Sequence, residues 1–421
     1  MYYSKYNVDF IDGDSIIVVN MLSASMVRFD KKKFQELKNA NIDDVFSKKE
    51  IDSLIKTGIL CTENNETEIL VAKREKLFNE QLDKSFSLTI LTTTNCNARC
   101  FYCYENGVEK RDMTIDTADD LYKYIINNRK DLPVFLNWFG GEPLYNSPII
   151  DYICSRLKKD NIIYSSSMAS NGYLIDQYRN RILDLWNLKS AQITIDGIGE
   201  NYNRIKNYIY EDADPFARII DNIKYLLNNQ VHVSLRINFN PQKLQDAINT
   251  IRYIHQEFGN NLGLYVYCAW VSDEHILSPN NFNPWENPLL ELYSVLMECG
   301  YISKLSDLGI RPKLLTCSLH KKNMVVVNVD GTLHKCQHGI MNNLEDSFGN
   351  IYDGVTNIKN LEYWSDIQYP SIDCMNCVCL PICEGGCKYR AIHNNGKDVC
   401  VPIKYCLKEV LSLFYKKYYT K

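Results

Sequence analysis

A loop of three cysteines constrains this chain more than any other feature of its sequence. Cys96, Cys100 and Cys103 form a Cys-x3-Cys-x2-Cys pattern directly after the strand-like run of residues 88–93. Three thiolates on one short loop can bind three irons of a four-iron cubane, which a fourth cysteine normally completes. The fourth iron is then open to another ligand. The spacing therefore indicates an iron–sulfur site that performs chemistry rather than one that only stores electrons.

A zinc site is the alternative interpretation of this loop. Zinc sites of this type pair two Cys-x2-Cys hooks, whereas here the two steps are unequal and a fourth ligand is missing. The residues around the cysteines also make the segment resemble the cluster loop of the radical S-adenosylmethionine (radical SAM) superfamily. These flanking residues are Asn95, Phe101, Tyr102 and Tyr104.

The resemblance implies an oxidoreductase with a 4Fe-4S cluster and S-adenosyl-L-methionine (SAM) as cofactors. In that superfamily SAM chelates the open iron through its amino and carboxylate groups. One electron from the cluster splits the sulfonium and gives a 5′-deoxyadenosyl radical, which takes a hydrogen atom from the substrate.

Charge and composition exclude several classes of function. The chain has 47 Lys and Arg against 51 Asp and Glu, a formal net charge of −4, so no basic field points to nucleic acid. The N-terminus lacks the apolar core of a signal peptide, and the apolar runs are too short for a membrane span. We therefore expect a cytoplasmic protein. Its 16 cysteines then indicate metal ligation, since disulfides do not persist in a reducing compartment.

Strands and helices alternate between residues 84 and 305. The predicted strands are Leu88–Thr94, Val134–Phe139, Ser165–Ser170, Ala191–Asp196, His232–Asn238 and Leu262–Trp270. The predicted helices are Asp116–Arg129, Pro148–Lys159, Asp176–Trp186, Pro215–Asn228 and Pro241–Phe258. This alternation predicts an α/β fold in which a parallel sheet curls into a partial (β/α)6 TIM-like barrel. Active sites of such sheets lie at the C-terminal ends of the strands, and the cysteine loop follows the first strand.

A second motif follows the second predicted strand. Gly140 and Gly141 would let the backbone approach a ligand closely, and Glu142 offers an acceptor for an ammonium group. With Pro143 they resemble the GGEP motif that binds the SAM amino group in the radical SAM superfamily. We therefore expect these residues to bind the cofactor.

Four further residues are candidate SAM contacts. Ser170 and Asp196 lie at predicted strand ends, where ribose and carboxylate contacts are needed, and ordinary turn capping is the alternative for both. Arg204 is a candidate partner for the SAM carboxylate or part of a solvated helix face. Tyr102 is expected to pack on the adenine or on the barrel wall.

Residues 1–80 precede this core. Strand-like runs at 6–11, 15–21 and 26–29 are followed by short helices predicted at 31–40 and 48–57, and then by a charged segment. A small sheet followed by short helices resembles the winged-helix-like (RRE-like) domain with which peptide-modifying enzymes grip the leader of a precursor peptide. A lid or a dimerisation element of the same size is the alternative.

Residues 306–421 carry a second set of cysteines. Cys374, Cys377, Cys383 and Cys387 follow the steps Cys-x2-Cys-x5-Cys-x3-Cys, and Gly331 stands five residues before Cys336. This pattern resembles the SPASM domain, a C-terminal extension of radical SAM enzymes that holds two auxiliary 4Fe-4S clusters. A zinc ribbon beside an unrelated enzyme is the alternative.

The SPASM resemblance implies two ligand sets. Cys374, Cys377, Cys383 and Cys406 would hold one cluster, with Cys400 as the residue that could replace Cys406. Cys317, Cys336 and Cys387 would hold the other, which lacks an obvious fourth cysteine. In sulfatase-maturing relatives that ligand falls at the position of Asn323, so this site is open or completed by another side chain or the substrate. The alternative ligands are His320, His334 and His338.

Our leading hypothesis is a maturase of a ribosomally made peptide (RiPP maturase) that forms a thioether from a cysteine sulfur to a carbon of the precursor, as in sactipeptide and ranthipeptide synthases. Its partners would be a precursor peptide with a leader and a reductant such as flavodoxin or ferredoxin. The alternatives are an anaerobic sulfatase-maturing, formylglycine-generating enzyme and a carbon–carbon crosslinking or epimerising enzyme. A non-catalytic electron carrier would not need Glu142.

Overall fold

The structure is a computed structural model of the 421-residue chain. It describes residues 1–39, 42–80, 84–103, 105–211, 214–271, 279–313, 317–338, 344–366, 372–393 and 400–420, so Tyr104 lies outside the described residues. Two compact units are present. The terminal unit contains residues 1–80, 277–316 and 367–421, and the core unit contains residues 81–276 and 317–366. The boundaries 1–80, 84–305 and 306–421 stay predictions, because the units follow spatial contacts rather than continuous stretches of chain.

The terminal unit begins with short strands and helices. They are β1 (Tyr2–Tyr3), β2 (Asn7–Asp12), β3 (Ser15–Asn20), β4 (Ser25–Asp30), α1 (Lys31–Lys38), α2 (Ile42–Val45), α3 (Lys48–Lys56), β5 (Leu60–Cys61) and α4 (Glu66–Asn79). Strands β2, β3 and β4 form an antiparallel sheet in that order, and β1 pairs with β5. Strands β2, β3 and β4 and helices α1 and α3 lie close to the three strands and two helices predicted for residues 1–80.

Side-chain caps start two of these helices. The Asp30 carboxylate accepts a hydrogen bond from Lys33 N at 2.8 Å at the start of α1, and Ser47 and Glu50 form a capping box at the start of α3. Apolar side chains of the sheet and the helices pack into one small core. It contains Ile16, Val18, Phe29, Leu37, Ile42, Phe46, Ile51, Leu54, Ile59 and Leu60.

The residues of helix α4 were interpreted from the sequence only as a charged segment. Its buried residues are Thr67, Leu70 and Arg74, which recur at the i, i+3, i+7 spacing of one helix face. Two of the three are polar, so hydrophobic periodicity did not reveal the helix.

The core unit is built on six parallel strands that lie in chain order. They are β6 (Phe86–Thr93), β7 (Val134–Gly140), β8 (Tyr164–Ser170), β9 (Leu188–Thr194), β10 (His232–Phe239) and β11 (Leu264–Trp270). All neighbouring pairs are parallel. The predicted parallel sheet is therefore confirmed. The end of β9 matters for the site. This strand ends at Thr194, so Asp196 lies in the turn beyond it.

Helices connect these strands. They are α5 (Ile115–Asn128), α6 (Ser147–Lys159), α7 (Arg179–Asp184), α8 (Gly199–Lys206), α9 (Pro215–Asn228) and α10 (Leu244–Phe258). The helix predicted at 176–186 is a 3-10 turn, Ile175–Tyr178, followed by the short α7. Alternate residues of β7 and β10 are buried, and the buried sides of the connecting helices cover the sheet.

The chain then runs through α11 (Pro288–Glu298) of the terminal unit and returns to the core unit. There β12 (Met324–Val327) pairs parallel to β6, and three antiparallel strands extend the sheet to ten strands. These strands and the following helix are β13 (Thr332–His334), β14 (Gly349–Asn350), β15 (Gly354–Val355) and α12 (Ile358–Ser365). The terminal unit is completed by α13 (Ile372–Met375), α14 (Leu380–Cys383), α15 (Lys388–His393) and α16 (Leu407–Tyr419). None of the described helices is both long enough and apolar enough to cross a membrane.

Candidate active site

Polar residues follow the C-terminal ends of successive strands in the core unit. The cysteine loop follows β6, Glu142 follows β7, Ser170 ends β8 and Asp196 follows β9. Because parallel strands in chain order bring these ends to one edge of the sheet, residues far apart in sequence become neighbours. The three cysteines of the loop and the predicted SAM contacts other than Arg204 lie at this edge.

Two glycines let β7 approach the start of the cysteine loop. Gly140 has a φ of +125°, and a Cβ there would lie 2.1 Å from the Thr93 carbonyl oxygen. A Cβ on Gly141 would lie 2.2 Å from the Asn95 carbonyl oxygen. The N–H groups of Gly141 and Glu142 donate to these same oxygens at 3.0 and 2.9 Å. The close approach that requires glycine is therefore to the backbone that leads into the cysteine loop.

The Glu142 side chain is fully buried and accepts three hydrogen bonds. The donors are Ser170 Oγ at 2.8 Å, Asn171 N at 2.8 Å and Leu144 N at 3.2 Å. Burial raises the pKa of the Glu142 carboxyl to about 7, although these donors and Lys206 favour its charged form. A buried carboxyl held in one orientation is a suitable acceptor for an ammonium group.

A buried ion pair lies beside this carboxyl. Lys206 Nζ is 2.7 Å from Asp196 Oδ2, and the two side chains are 3% and 2% exposed. Lys206 Nζ also donates to Tyr102 Oη at 3.0 Å, and the Tyr102 hydroxyl donates to Asp196 Oδ2. Burial opposes the charge on Lys206, but Asp196 and Tyr102 outweigh it and raise the pKa of Lys206 well above its usual value.

Lys206 is a site residue that the sequence did not reveal. Arg204, the predicted cation, lies exposed on α8 and donates to Asn201 Oδ1 at 2.8 Å. Helical periodicity explains the difference, because residues two positions apart point to different sides of a helix. Lys206 ends α8, and its carbonyl also accepts a hydrogen bond from Arg99 N in the cysteine loop at 2.8 Å. The only sequence signal for Lys206 is its place two residues beyond Arg204 on the same helix.

The three cysteines of the loop interact with one another. Burial raises the pKa of Cys96 to about 12, with further contributions from Glu142, Cys100 and Cys103. No three ligand side chains of the described residues converge on a single metal ion. A cubane does not require this, because each cysteine binds a different iron.

The buried side-chain amide of Asn97 bears on whether the residues of the loop fit an iron–sulfur cluster. Asn97 is fully buried, and its Oδ1 accepts from Asn171 Nδ2 at 2.6 Å. Its Nδ2 has no hydrogen-bond partner among the described residues, and Cys96 Sγ is 3.9 Å from its Oδ1. Buried donors rarely stay unpaired. A polar group at this position would satisfy Asn97, and the residues therefore fit a cluster with SAM beside it.

A tyrosine cluster borders the site. Tyr202 Oη and Tyr208 Oη are 2.9 Å apart, and the rings of Tyr173 and Tyr208 are 4.5 Å apart. The pKa of the Tyr208 hydroxyl lies well above its usual value, and burial is the largest cause. Tyr202 is the next largest cause, and Glu142 and Cys100 contribute as well. These hydroxyls are therefore neutral and form part of the wall of the site. No motif in the sequence predicted this wall.

Some cysteines of the terminal unit lie close enough to Cys383 to shift its pKa. Burial raises the pKa of the Cys383 thiol, the Val401 N–H donates to it and lowers its pKa, and Cys400, Cys377 and Cys374 raise it further. Lys404 Nζ donates to Cys400 Sγ at 3.4 Å. Cys406 is buried at the start of α16, where burial and Glu409 raise its pKa to about 12 and no other thiol contributes. Cys400 thus acts on the Cys383 thiol, and the choice between Cys400 and Cys406 as a cluster ligand stays a prediction.

Cys317 and Cys336 belong to the core unit, whereas Cys387 belongs to the terminal unit. In the stretch of chain from Cys317 to Cys336, the buried Lys335 Nζ donates to the carbonyl oxygens of Lys321 and Met324 at 2.6 and 2.9 Å. These carbonyls bracket Asn323. Burial lowers the pKa of Lys335 to about 8, although Cys317 raises it.

The three candidate histidines differ in their surroundings. His320 and His334 are buried, and His338 is partly buried. His334 Nε2 lies 3.2 Å from Thr332 Oγ1, and its Nδ1 has no hydrogen-bond partner among the described residues. Burial lowers the pKa of His334 to about 4. Its imidazole is therefore neutral, as a metal ligand must be.

Residues 90–254 match the model of the radical SAM superfamily. Over its whole length the chain is similar to the radical SAM cyclopropyl synthase TigE of Paramaledivibacter caminithermalis. The two are 22% identical over 452 aligned positions, which cover 95% of this chain and 89% of TigE.

Two solved proteins share the fold. SuiB of Streptococcus suis, bound to S-adenosylmethionine, superposes with a TM-score of 0.53 at 15% identity and covers 95% of this chain and 100% of SuiB. The protein anSMEcpe, with bound AdoMet and Cp18Cys peptide, superposes with a TM-score of 0.54 at 16% identity and covers 79% of this chain and 96% of its own. The superfamily match implies a 4Fe-4S cluster and SAM, which the donor set at the sheet edge fits. The chain therefore contains a radical SAM domain over residues 90–254 and is an enzyme.

Proposed function

We propose that this enzyme is a maturase that modifies a ribosomally made precursor peptide, most readily by forming a thioether from a cysteine sulfur. The N-terminal sheet and helices carry this proposal. Strand β4 pairs with β3 on one side only among the described residues, so its other edge can accept an extended peptide. SuiB, which is similar over 95% of this chain, has been solved with its precursor peptide SuiA at a TM-score of 0.51.

When bound, the cluster and SAM supply a 5′-deoxyadenosyl radical that takes one hydrogen atom from the substrate. The protein residues hold the cofactor. Glu142, fixed by Ser170, would accept hydrogen bonds from the SAM ammonium group, and Lys206 would supply the positive charge for the SAM carboxylate in place of Arg204. Asp196 and Tyr102 hold Lys206, and Gly140 and Gly141 bring Glu142 against the cysteine loop.

Thioether formation removes two hydrogen atoms from the peptide. One would leave the carbon as a hydrogen atom, and the other would leave the sulfur as a proton while one electron passes to an acceptor. Auxiliary clusters are suitable acceptors. We assign one to Cys374, Cys377, Cys383 and Cys400 in preference to Cys406, because Cys400 raises the pKa of the Cys383 thiol and no thiol of the described residues contributes to the raised pKa of Cys406. Cys317, Cys336 and Cys387 remain the proposed ligands of the other, which has an open position for a substrate thiolate.

A second candidate is formation of a carbon–carbon bond. The alignment with a cyclopropyl synthase over 95% of this chain favours it.

Product analysis separates these reactions. The reconstituted enzyme, with flavodoxin or dithionite, is given a cysteine-rich precursor encoded beside it, with and without the leader. We expect 5′-deoxyadenosine and a product lighter by two hydrogens that has lost one alkylatable thiol, and only with the leader. The same mass loss with every thiol still alkylatable indicates a carbon–carbon bond, and a hydrazide-reactive aldehyde indicates formylglycine. Formation of 5′-deoxyadenosine with no change in any such peptide contradicts the proposal.

A further inference from the structure

Helix α4 lies against the cysteine segment of residues 372–384 within the terminal unit. Its buried face presents Thr67 near one end of that segment and Arg74 near the other. Seven residues separate the two, which is close to two helical turns and keeps them on the same face. The helix therefore spans the segment from beside Cys374 to beside Cys383.

Two donors hold the first end of the segment. Thr67 Oγ1 donates to the Met375 carbonyl oxygen at 3.2 Å, and Lys5 Nζ donates to the same oxygen at 3.4 Å. Met375 directly follows Cys374, whose own carbonyl accepts the N–H of Cys377 at 3.1 Å. Contacts from the N-terminal residues thus fix the turn that spaces these two cysteines.

A buried ion pair holds the second end. Arg74 Nε lies 3.8 Å from Glu384 Oε1, and the side chains are 2% and 7% exposed. Glu384 follows Cys383 and has a φ of +57°, a left-handed conformation that a residue with a side chain adopts only when its surroundings enforce it. Gly385 and Gly386 continue this turn with φ values of +85° and +89°. Arg74 therefore helps to hold the turn that leads from Cys383 to Cys387.

The helix is also tied to the start of the chain. Tyr6 Oη and Thr67 Oγ1 are 2.8 Å apart, and Ser4 Oγ donates to Glu66 Oε1 at 2.6 Å. These contacts join α4 to the residues between β1 and β2. The N-terminal segment and the cysteine segment therefore share one set of buried polar contacts.

We propose that α4 is a positioning element for the auxiliary cluster of Cys374, Cys377, Cys383 and Cys400, with Thr67 and Arg74 as the positioning residues. This inference rests on the proposed function, which assigns that cluster. The N-terminal segment is then part of the structure that assembles the cluster and not a detachable recognition module.

The test compares iron content and spectra of the full-length enzyme after anaerobic reconstitution. Arg74→Met and Thr67→Val remove the two contacts with little change in side-chain size. Lys73→Met, on the exposed side of the same helix, is the matched control for loss of a cation. We expect the double variant to lose about four of about twelve irons, the same loss that we expect of Cys377→Ser. The electron paramagnetic resonance signal that responds to SAM, and 5′-deoxyadenosine formation without peptide, should match those of the control.

Each other outcome has a defined meaning. Full iron content and unchanged spectra in the double variant would overturn the proposal, and so would equal loss of the SAM-responsive signal, since that indicates general unfolding. If the double variant is insoluble, Thr67→Val alone decides by the same criteria. A wild-type enzyme with only about four irons refutes the auxiliary clusters themselves, and this is seen before any variant is made.

Discussion

Lys206 Nζ lies 2.7 Å from Asp196 Oδ2, and both side chains are almost completely buried. Asp196 also accepts a hydrogen bond from Asn238 N at 3.1 Å on the neighbouring strand. One ion pair thus connects the end of α8, the turn after β9 and strand β10.

Lys206→Met should destabilise the protein strongly. The substitution leaves the Asp196 carboxylate buried without its cation, and breaking such a pair costs about 3–5 kcal/mol. Urea unfolding should show this loss, whereas Lys189→Met, at an exposed position of β9, should change the free energy of unfolding little. A double variant Asp196→Asn, Lys206→Met should lose less of the free energy of unfolding than Lys206→Met alone. Equal stability of Lys206→Met and wild type would contradict the buried pair.

The pKa of Glu142 predicts a pH dependence of stability. Because burial raises the pKa of this carboxyl to about 7 from 4.5, the folded state binds a proton that the unfolded state releases between these pH values. The unfolding free energy of the metal-free chain should therefore fall as pH rises from 4.5 to 7, by up to about 1.4 kcal/mol per pH unit. Glu142→Gln should remove this contribution. An identical pH profile in the variant would show that Glu142 is already ionised.

Glu142→Ala should weaken SAM binding while sparing iron content. The variant removes the proposed acceptor for the SAM ammonium but none of the three cysteines. Equilibrium binding to the reconstituted enzyme should show a loss of at least about tenfold, or about 1.4 kcal/mol. Arg204→Ala is the control, because this exposed residue points away from the site. Unchanged SAM affinity in Glu142→Ala would remove that residue from the SAM site.

Gly140→Ala should prevent the cysteine loop from taking its position. The new methyl group would lie 2.1 Å from the Thr93 carbonyl oxygen, so β6 and β7 must separate just before the loop. Gly259→Ala provides the control, since it also has a positive φ, of +55°, but nothing within 4 Å of the new Cβ. Iron content after reconstitution should fall in the first variant and not in the second. Normal iron binding by Gly140→Ala would show that the sheet edge tolerates the separation.

Cys400→Ser should remove an auxiliary cluster, and Cys406→Ser should not. Cys400 lies beside Lys404 and raises the pKa of the Cys383 thiol, whereas no thiol of the described residues contributes to the raised pKa of the buried Cys406. Iron per chain should fall by about four in the first variant only. The reverse result would restore Cys406 as the ligand.

The parallel sheet and the main cysteine loop were readable from sequence because each depends on local pattern. Apolar runs of strand length alternate with amphipathic helices, and three thiols at fixed steps on one loop have few chemical uses. The GGEP motif was found for the same reason. Helix α4 was missed because Thr67 and Arg74 are buried by partners more than three hundred residues away, and a local pattern does not encode such partners.

The sequence alone determined the parallel sheet and the places of the cysteine loop and Glu142 after its first two strands, since these follow from periodicity and spacing along neighbouring residues. Only the tertiary structure decided that Lys206 rather than Arg204 is buried beside Asp196. The two candidates stand close together in the chain. Which of them is buried depends on helix phase and on packing against distant residues, and neither is fixed by local spacing.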